Sequence, residues 1–182
     1  LMTELPLYFD TDCLSAFLWV RNESLLPQLY PGRIVIPQQV YDELGNVPHL
    51  QAKIDILLQR GDVSIMTIQA GTEEHQLYTE FTRRPKSGYT VIGRGEAASL
   101  ALAKNTNGIV ASNNLKDIMP YITEYHLNHK TTGDILIEAL NNGLITEQDG
   151  NTLWTNMLKK RRKLGANSFT DYLKLKGLKH ES

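Results

Sequence analysis

Short, continuously apolar runs alternate along the chain with longer stretches in which apolar residues recur every three or four positions, the pattern of buried strands alternating with one-sided helices. Leu5 to Phe9 reads as a buried strand, and Leu14, Phe17 and Leu18 predict a helix directly after Asp12. Ser24 to Tyr30 predicts a second short helix interrupted by Pro27. Arg33 to Ile36 is a β-branched strand closed by Pro37, whose fixed φ suits the first turn of a helix over Gln38 to Leu44, with Gly45 at its C′ position.

The same alternation continues. His49 to Gln59 carries Leu50, Ile54, Leu57 and Leu58 on one face and precedes a strand over Val63 to Ile68. Thr72 caps a helix reaching about Thr82, and Arg83 to Gly95, with Pro85, Gly88, Gly93 and Gly95, reads as a loop. A helix over Glu96 to Lys104 leads to a strand over Gly108 to Ser112, then to a short helix over Asn114 to Met119 that Pro120 stops, and to an edge strand over Tyr125 to Leu127. Thr131 with Asp134 opens a helix that stops at Gly143. Thr146 opens a longer one, expected to run through Lys159 to Lys163 as far as Gly165. Ser168 and Asp171 open a last helix to about Lys176, with a frayed basic end after Gly177.

Strands separated by helices, with few hairpin signals, predict a three-layer α/β/α fold around a central, mostly parallel sheet of four or five strands. No linker divides the 182 residues, so a single domain is expected over 1–182, with 146–182 as a helical C-terminal extension packed on it.

Composition narrows the setting. No apolar run approaches the roughly 20 residues of a bilayer span. Leu1-Met2-Thr3-Glu4-Leu5 lacks the features of a secretory signal, which together with one cysteine, Cys13, leads to the expectation of a cytoplasmic protein without structural disulfides. Cys13 itself reads as a packed small hydrophobe. A net charge of -1 gives no global attraction to nucleic acid, so such a partner must be drawn by a local patch.

The candidate chemistry begins where the first strand ends in two acids, Asp10 and Asp12. In a parallel α/β sheet, ligand crevices form outside the C-terminal ends of the strands. Glu96, at a helix start preceded by Gly93 and Gly95, and the Ser112-Asn113-Asn114 stretch after another strand can face the same crevice. Clustered carboxylates suit Mg²⁺ or Mn²⁺, which would orient water and offset charge on a phosphodiester. Each acid also has an ordinary reading: a helix cap for Asp10 and Asp12, an exposed charge for Glu43, and favourable placement at a helix dipole for Glu96.

Three blocks in order sharpen this reading. Tyr8-Phe9-Asp10-Thr11-Asp12-Cys13-Leu14-Ser15 resembles the opening strand and helix of the PIN-domain nucleases. Ile34-Val35-Ile36-Pro37, followed by the helix bearing Glu43, is similar to their second block. Gly93-Arg94-Gly95-Glu96-Ala97-Ala98 and the small residues after it resemble the glycine-glutamate helix of a subgroup close to the toxin-type members. The resemblance implies a metal-dependent endoribonuclease, with Asp10, Glu43 and Glu96 holding Mg²⁺ or Mn²⁺, an RNA substrate, and an antitoxin protein or a second copy of the chain as partners. Asn114 stands where the family has a further aspartate; its amide carbonyl could still ligate a hard cation, and Asp12 and Asp117 are possible secondary ligands.

Basic residues supply the remaining candidates. Arg83, Arg84, Lys86 and Arg94, in and around the glycine-bearing loop, are placed to guide RNA toward the acids, and Ser112 could hydrogen-bond a phosphate or serve as a cap. The five cations Lys159 to Lys163 read more readily as the solvated last turn of a helix than as a phosphate-binding run. Two other functions compete with the nuclease. Phe9-Asp10-Thr11-Asp12 also resembles the Asp-x-Asp signature of haloacid-dehalogenase-type phosphatases, although Leu14 and the neutral Asn113-Asn114 depart from it. A weakened PIN-like module that binds RNA or protein without cleaving is supported by the two asparagines.

Overall fold

Along the first strand, β1 (Leu7–Phe9), alternate side chains enter two different cores. Leu7 and Phe9 pack on one face of the sheet and Tyr8 on the other, as the two-residue period of a strand requires. The same division separates Ile34 and Ile36 from Val35 in β2 (Ile34–Pro37), and Ile109 and Ala111 from Val110 in β4 (Ile109–Ala111). This computed structural model describes residues 4–179. With β3 (Val63–Met66) and β5 (Asn128–Lys130), the strands form one sheet in the order β3-β2-β1-β4-β5, every pairing parallel.

Helices cover both faces. The face of Leu7 and Phe9 is packed by α1 (Thr11–Trp19), α2 (Leu25–Leu29), α3 (Gln38–Leu44), α4 (Pro48–Gln59), α8 (Thr132–Asn141), α9 (Glu147–Lys159) and α10 (Phe169–Leu175). The face of Tyr8 is packed by α5 (Glu73–Arg83), α6 (Arg94–Thr106) and α7 (Leu115–Glu124). The result is the expected three-layer α/β/α arrangement. Trp154 and Met157 of α9 and Phe169 of α10 are fully buried in the same core as Phe17 and Leu18 of α1. Gly150 allows the close approach of these last helices: a Cβ there would stand 2.5 Å from the Phe169 ring.

Several boundaries differ from the sequence pattern for identifiable reasons. Helix α7 runs through Pro120, because that residue is exposed while Tyr121 and Ile122 behind it are buried and hold the helix to the sheet. Tyr125 to Leu127 is a turn, with His126 at φ 52°, and the edge strand lies three residues later. Gly45 is right-handed, at φ -60°, and its missing side chain serves close packing: a Cβ would stand 3.0 Å from the Asp42 carbonyl. Helix α6 begins at Arg94, two residues before its expected start, and β3 ends at Met66 rather than Ile68. Helix α9 stops at Lys159 instead of continuing through the basic run, and Arg161 turns left-handed at φ 60°. The leader reading rests partly on Leu1, Met2 and Thr3, and the frayed end partly on residues 180–182, all outside the described residues.

Sheet order places the crevice. The chain leaves β1 for β2 on one side, whereas β4 flanks β1 on the other, so connections diverge at the C-terminal ends of β1 and β4. Asp10 follows the first of these strands and Ser112 the second.

Candidate active site

Asp10 has two roles, one for each carboxylate oxygen. Its extended backbone lets Oδ1 accept a hydrogen bond from the Cys13 N–H at 2.8 Å, capping α1. Its Oδ2 is buried and has no hydrogen-bond partner among the described residues. The residue is only 1% exposed. Burial pushes its carboxyl up to about 7, with the Ser112 hydroxyl and the Cys13 N–H opposing and the negative charges of Glu96 and Asp12 adding to the rise. A buried carboxylate oxygen without a donor is costly unless a proton or a cation satisfies it.

Glu43 reaches the same place from α3, but both its oxygens are engaged. Oε2 accepts from the Thr11 hydroxyl at 2.5 Å, and Oε1 from the Gly95 N–H at 3.2 Å. Glu43 therefore ties the starts of α1 and α6 together across the crevice. This geometry requires glycine at 95, because a Cβ there would stand 2.7 Å from the Thr11 hydroxyl.

Glu96 lies in the first turn of α6. Its Oε1 accepts from the Asn114 side-chain amide at 3.0 Å, and the same amide donates to Asp117 Oδ2 at 2.9 Å. Since both partners are carboxylates, the amide nitrogen rather than the carbonyl must face them. Burial raises the Glu96 carboxyl; the Asn114 amide draws it down, and Asp117 and Asp12 raise it further. Asn113 does different work, accepting from the Thr132 N–H at 2.8 Å and donating to its hydroxyl at 2.9 Å, which joins the end of β4 to α8.

Asp10, Thr11, Asp12, Glu43, Gly93, Gly95 and Glu96 line one small cavity of about 70 Å³. The three carboxylates expected as ligands, those of Asp10, Glu43 and Glu96, thus all border one space. Among the described residues, no three acidic, histidine or cysteine side chains stand close enough to hold an ion together. Mg²⁺ commonly takes one or two carboxylates and fills its other positions with water and phosphate. The unpartnered Oδ2 of Asp10 and the Glu96 carboxylate fit that smaller donor set, and a divalent cation would offset the repulsion by which Glu96 helps raise the Asp10 carboxyl.

A family model described as a PIN domain matches residues 7–177. The chain belongs to the PIN-domain family. The match includes β1, α6 and the last two helices, and it supports a nuclease type of chemistry. No curated protein matches the chain closely enough for comparison.

On this PIN domain the predicted basic residues separate. Arg94 is exposed at the start of α6, beside the cavity-lining Gly93 and Gly95. Lys86 pairs with Glu124 at 2.5 Å and lies over the Tyr125 ring, and Arg84 lines a hollow against His75 and Glu80 of α5, apart from the acids. Arg83 is exposed in the last turn of α5. Ser112 is fully buried and accepts from the Asn114 N–H at 3.1 Å, so it presents no surface to a phosphate. Cys13 is buried, as its composition-based reading expected.

Arg162 was missed by sequence reasoning. Its Nη1 donates to Ser15 at 2.9 Å and meets Asp12 at 3.3 Å, bringing the basic run to the rim of the acidic cavity. The available signal was the run itself; the turn that redirects it was not readable from helical periodicity.

Proposed function

We propose that this PIN domain is a divalent-metal-dependent endoribonuclease. The observation that carries the reading is the buried, unpartnered Oδ2 of Asp10 beside Glu96 in a cavity at the switch point of a parallel sheet. Asp10 and Glu96 would hold Mg²⁺ or Mn²⁺, and Asp12, which lines the same cavity, and Asp117, which lines the groove beside it, would reach the ion only through water. The ion supplies positive charge against the phosphodiester and a bound water of lowered pKa. Glu43 keeps Thr11 and Gly95 in register so that the two ligands face one space, and burial of Asp10 excludes competing solvent from one side.

The finer form of the reading is a toxin whose antitoxin, or a second copy of the chain, covers the crevice; its support is the resemblance of the Gly93–Glu96 block to toxin-type members. Membrane attachment through a spanning helix is not part of it, since no helix among the described residues is long and apolar enough to cross a bilayer.

One observation favours a second reading, a module that binds RNA or protein without cleaving. Asn114 joins Glu96 to Asp117 through two hydrogen bonds from one neutral amide, bridging the acids without a cation. The haloacid-dehalogenase alternative has no comparable support, because the chain belongs to another family.

The deciding experiment incubates purified protein and its Asp10→Asn variant with a labelled single-stranded RNA and Mn²⁺. Cleavage by the wild type, lost in the folded variant, is expected. Absence of cleavage together with absence of any thermal stabilisation by Mn²⁺ or Mg²⁺ would leave the binding module as the reading.

A further inference from the structure

A second, wider groove adjoins the acidic cavity through Asp12. It encloses about 770 Å³, within the roughly 300–1,000 Å³ typical of ligand clefts. One wall carries Asn114, Lys116 and Asp117 from the start of α7; the other carries Arg161, Arg162 and Lys163. Leu115 is 38% exposed between them and offers an apolar surface.

The basic wall is built by a turn, not by a helix. Had α9 continued, five consecutive cations would have pointed around its axis at about 100° intervals. Instead Arg161 adopts a left-handed backbone and the chain reverses. The turn is fastened at three points. Lys160 lies over the Trp19 ring at 4.8 Å, Leu164 is buried, and Arg162 donates to Ser15, to Asp12 and to the Lys160 carbonyl. Arg161 and Lys163 are exposed and make no ion pair among the described residues. A left-handed arginine followed by a pinned neighbour leaves two uncommitted cations aimed into a groove that opens on the proposed catalytic acids.

We propose that residues 161–165 and the first turn of α7 form a binding site for the sugar-phosphate backbone of a single-stranded nucleic acid, holding phosphates on the flank of the scissile bond. The proposal rests on the endoribonuclease reading for the position of that bond. Arg161 and Lys163 contact phosphates, Arg162 is a positioning residue that holds the turn against α1, and Leu115 packs against an unstacked base. A purely acidic polypeptide fits less well, because it carries no planar apolar group to cover the exposed Leu115.

The test is equilibrium binding of a fluorescent single-stranded RNA in EDTA over a range of salt concentrations, using wild type and the double variant Arg161→Gln/Lys163→Gln. Both positions are exposed, and matching thermal unfolding curves would establish that the variant is folded. Loss of two phosphate contacts lowers the slope of log affinity against log salt by about 1.4, from a contribution of about 0.7 per contact on a single strand. A double variant that keeps the wild-type slope, while the wild type cleaves RNA with Mn²⁺, overturns this site and leaves the nuclease reading intact. A wild type that binds no RNA in EDTA but cleaves it with Mn²⁺ also overturns this site alone, and one that neither binds nor cleaves RNA overturns both. Displacement of the RNA by poly-glutamate at lower concentration than by unlabelled RNA assigns the groove to an acidic protein and also overturns the proposal.

Discussion

Asn114 donates its side-chain amide to Glu96 at 3.0 Å, so at this position the crevice contains a hydrogen-bond donor where a carboxylate would be a further acceptor. The link holds two acids, Glu96 and Asp117, at hydrogen-bonding distance from one group without adding charge. Asn114→Asp removes both donations and adds a third negative charge. We expect the metal-free variant to lose about 1–3 kcal/mol, since two carboxylates lose their donor. Divalent ions should stabilise it more than they stabilise wild type. Thermal unfolding with EDTA and with Mn²⁺ reads both effects; an equal Mn²⁺ shift in the two proteins would refute the idea that Asn114 weakens the ion site.

Asp10 makes the metal-free protein sensitive to pH in an unusual direction. Its carboxyl is raised from 3.8 to about 7 in the folded state, so between these values the native protein holds a proton that the unfolded chain has released. Stability from this group is fully present below about pH 4 and is lost as pH rises through about 7. The ceiling is about 4 kcal/mol, taking about 1.4 kcal/mol for each unit of displacement. Asp10→Asn should flatten the pH profile between about 4 and 7 in EDTA denaturation curves, because an amide keeps the acceptor for Cys13 and has no proton to lose. Retention of the wild-type slope in the variant would show that another group produces it.

Gly95→Ala places a methyl group 2.7 Å from the Thr11 hydroxyl and 3.5 Å from Glu43 Oε2. The neighbouring Val40 methyl stands at 3.1 Å, so the site cannot open without moving α3. Overpacking of this kind costs about 1–3 kcal/mol. Displacement of the Glu43 tie should lower RNA cleavage on the order of 100-fold, as small misplacements of catalytic groups do. Measured kcat/KM close to wild type, with the expected loss of stability, would limit Glu43 and Gly95 to a structural role.

Trp154→Ala tests whether the last two helices are integral to the fold. Trp154 is fully buried, donates to the Ala166 carbonyl at 2.9 Å, and packs against Phe169 and Tyr172. Its truncation should cost about 3–5 kcal/mol in one cooperative transition. Two separate transitions, with the first assigned to the C-terminal part, would mean that residues 146–177 form a unit of their own.

Much of the fold was legible because burial writes itself into short-range pattern. Apolar runs marked β1, β2 and β4, and side-chain caps at Thr72, Thr131, Thr146 and Ser168 marked helix starts, since those hydroxyls satisfy backbone donors within three residues. The edge strand was displaced because β5 is polar, Asn128, His129 and Lys130, and owes its conformation to pairing with β4. Pro120 was a poor stop signal because its solvent side leaves the freed carbonyl to water.

The sequence by itself determined that acids follow a buried strand, that glycines precede Glu96, and that a dense basic run lies near the end of the chain. Which of these meet was decided only by tertiary structure. Parallel order brought Asp10 and Glu96 to one cavity. Glu43, expected as a ligand, was drawn into hydrogen bonds with Thr11 and Gly95, and Asn114 presented its amide to the acids. The left-handed turn at Arg161 carried cations 150 residues away in sequence to Asp12. The physical reason is range: capping and periodicity act over three or four residues, whereas the charge environment of a carboxyl depends on every element that packs around it.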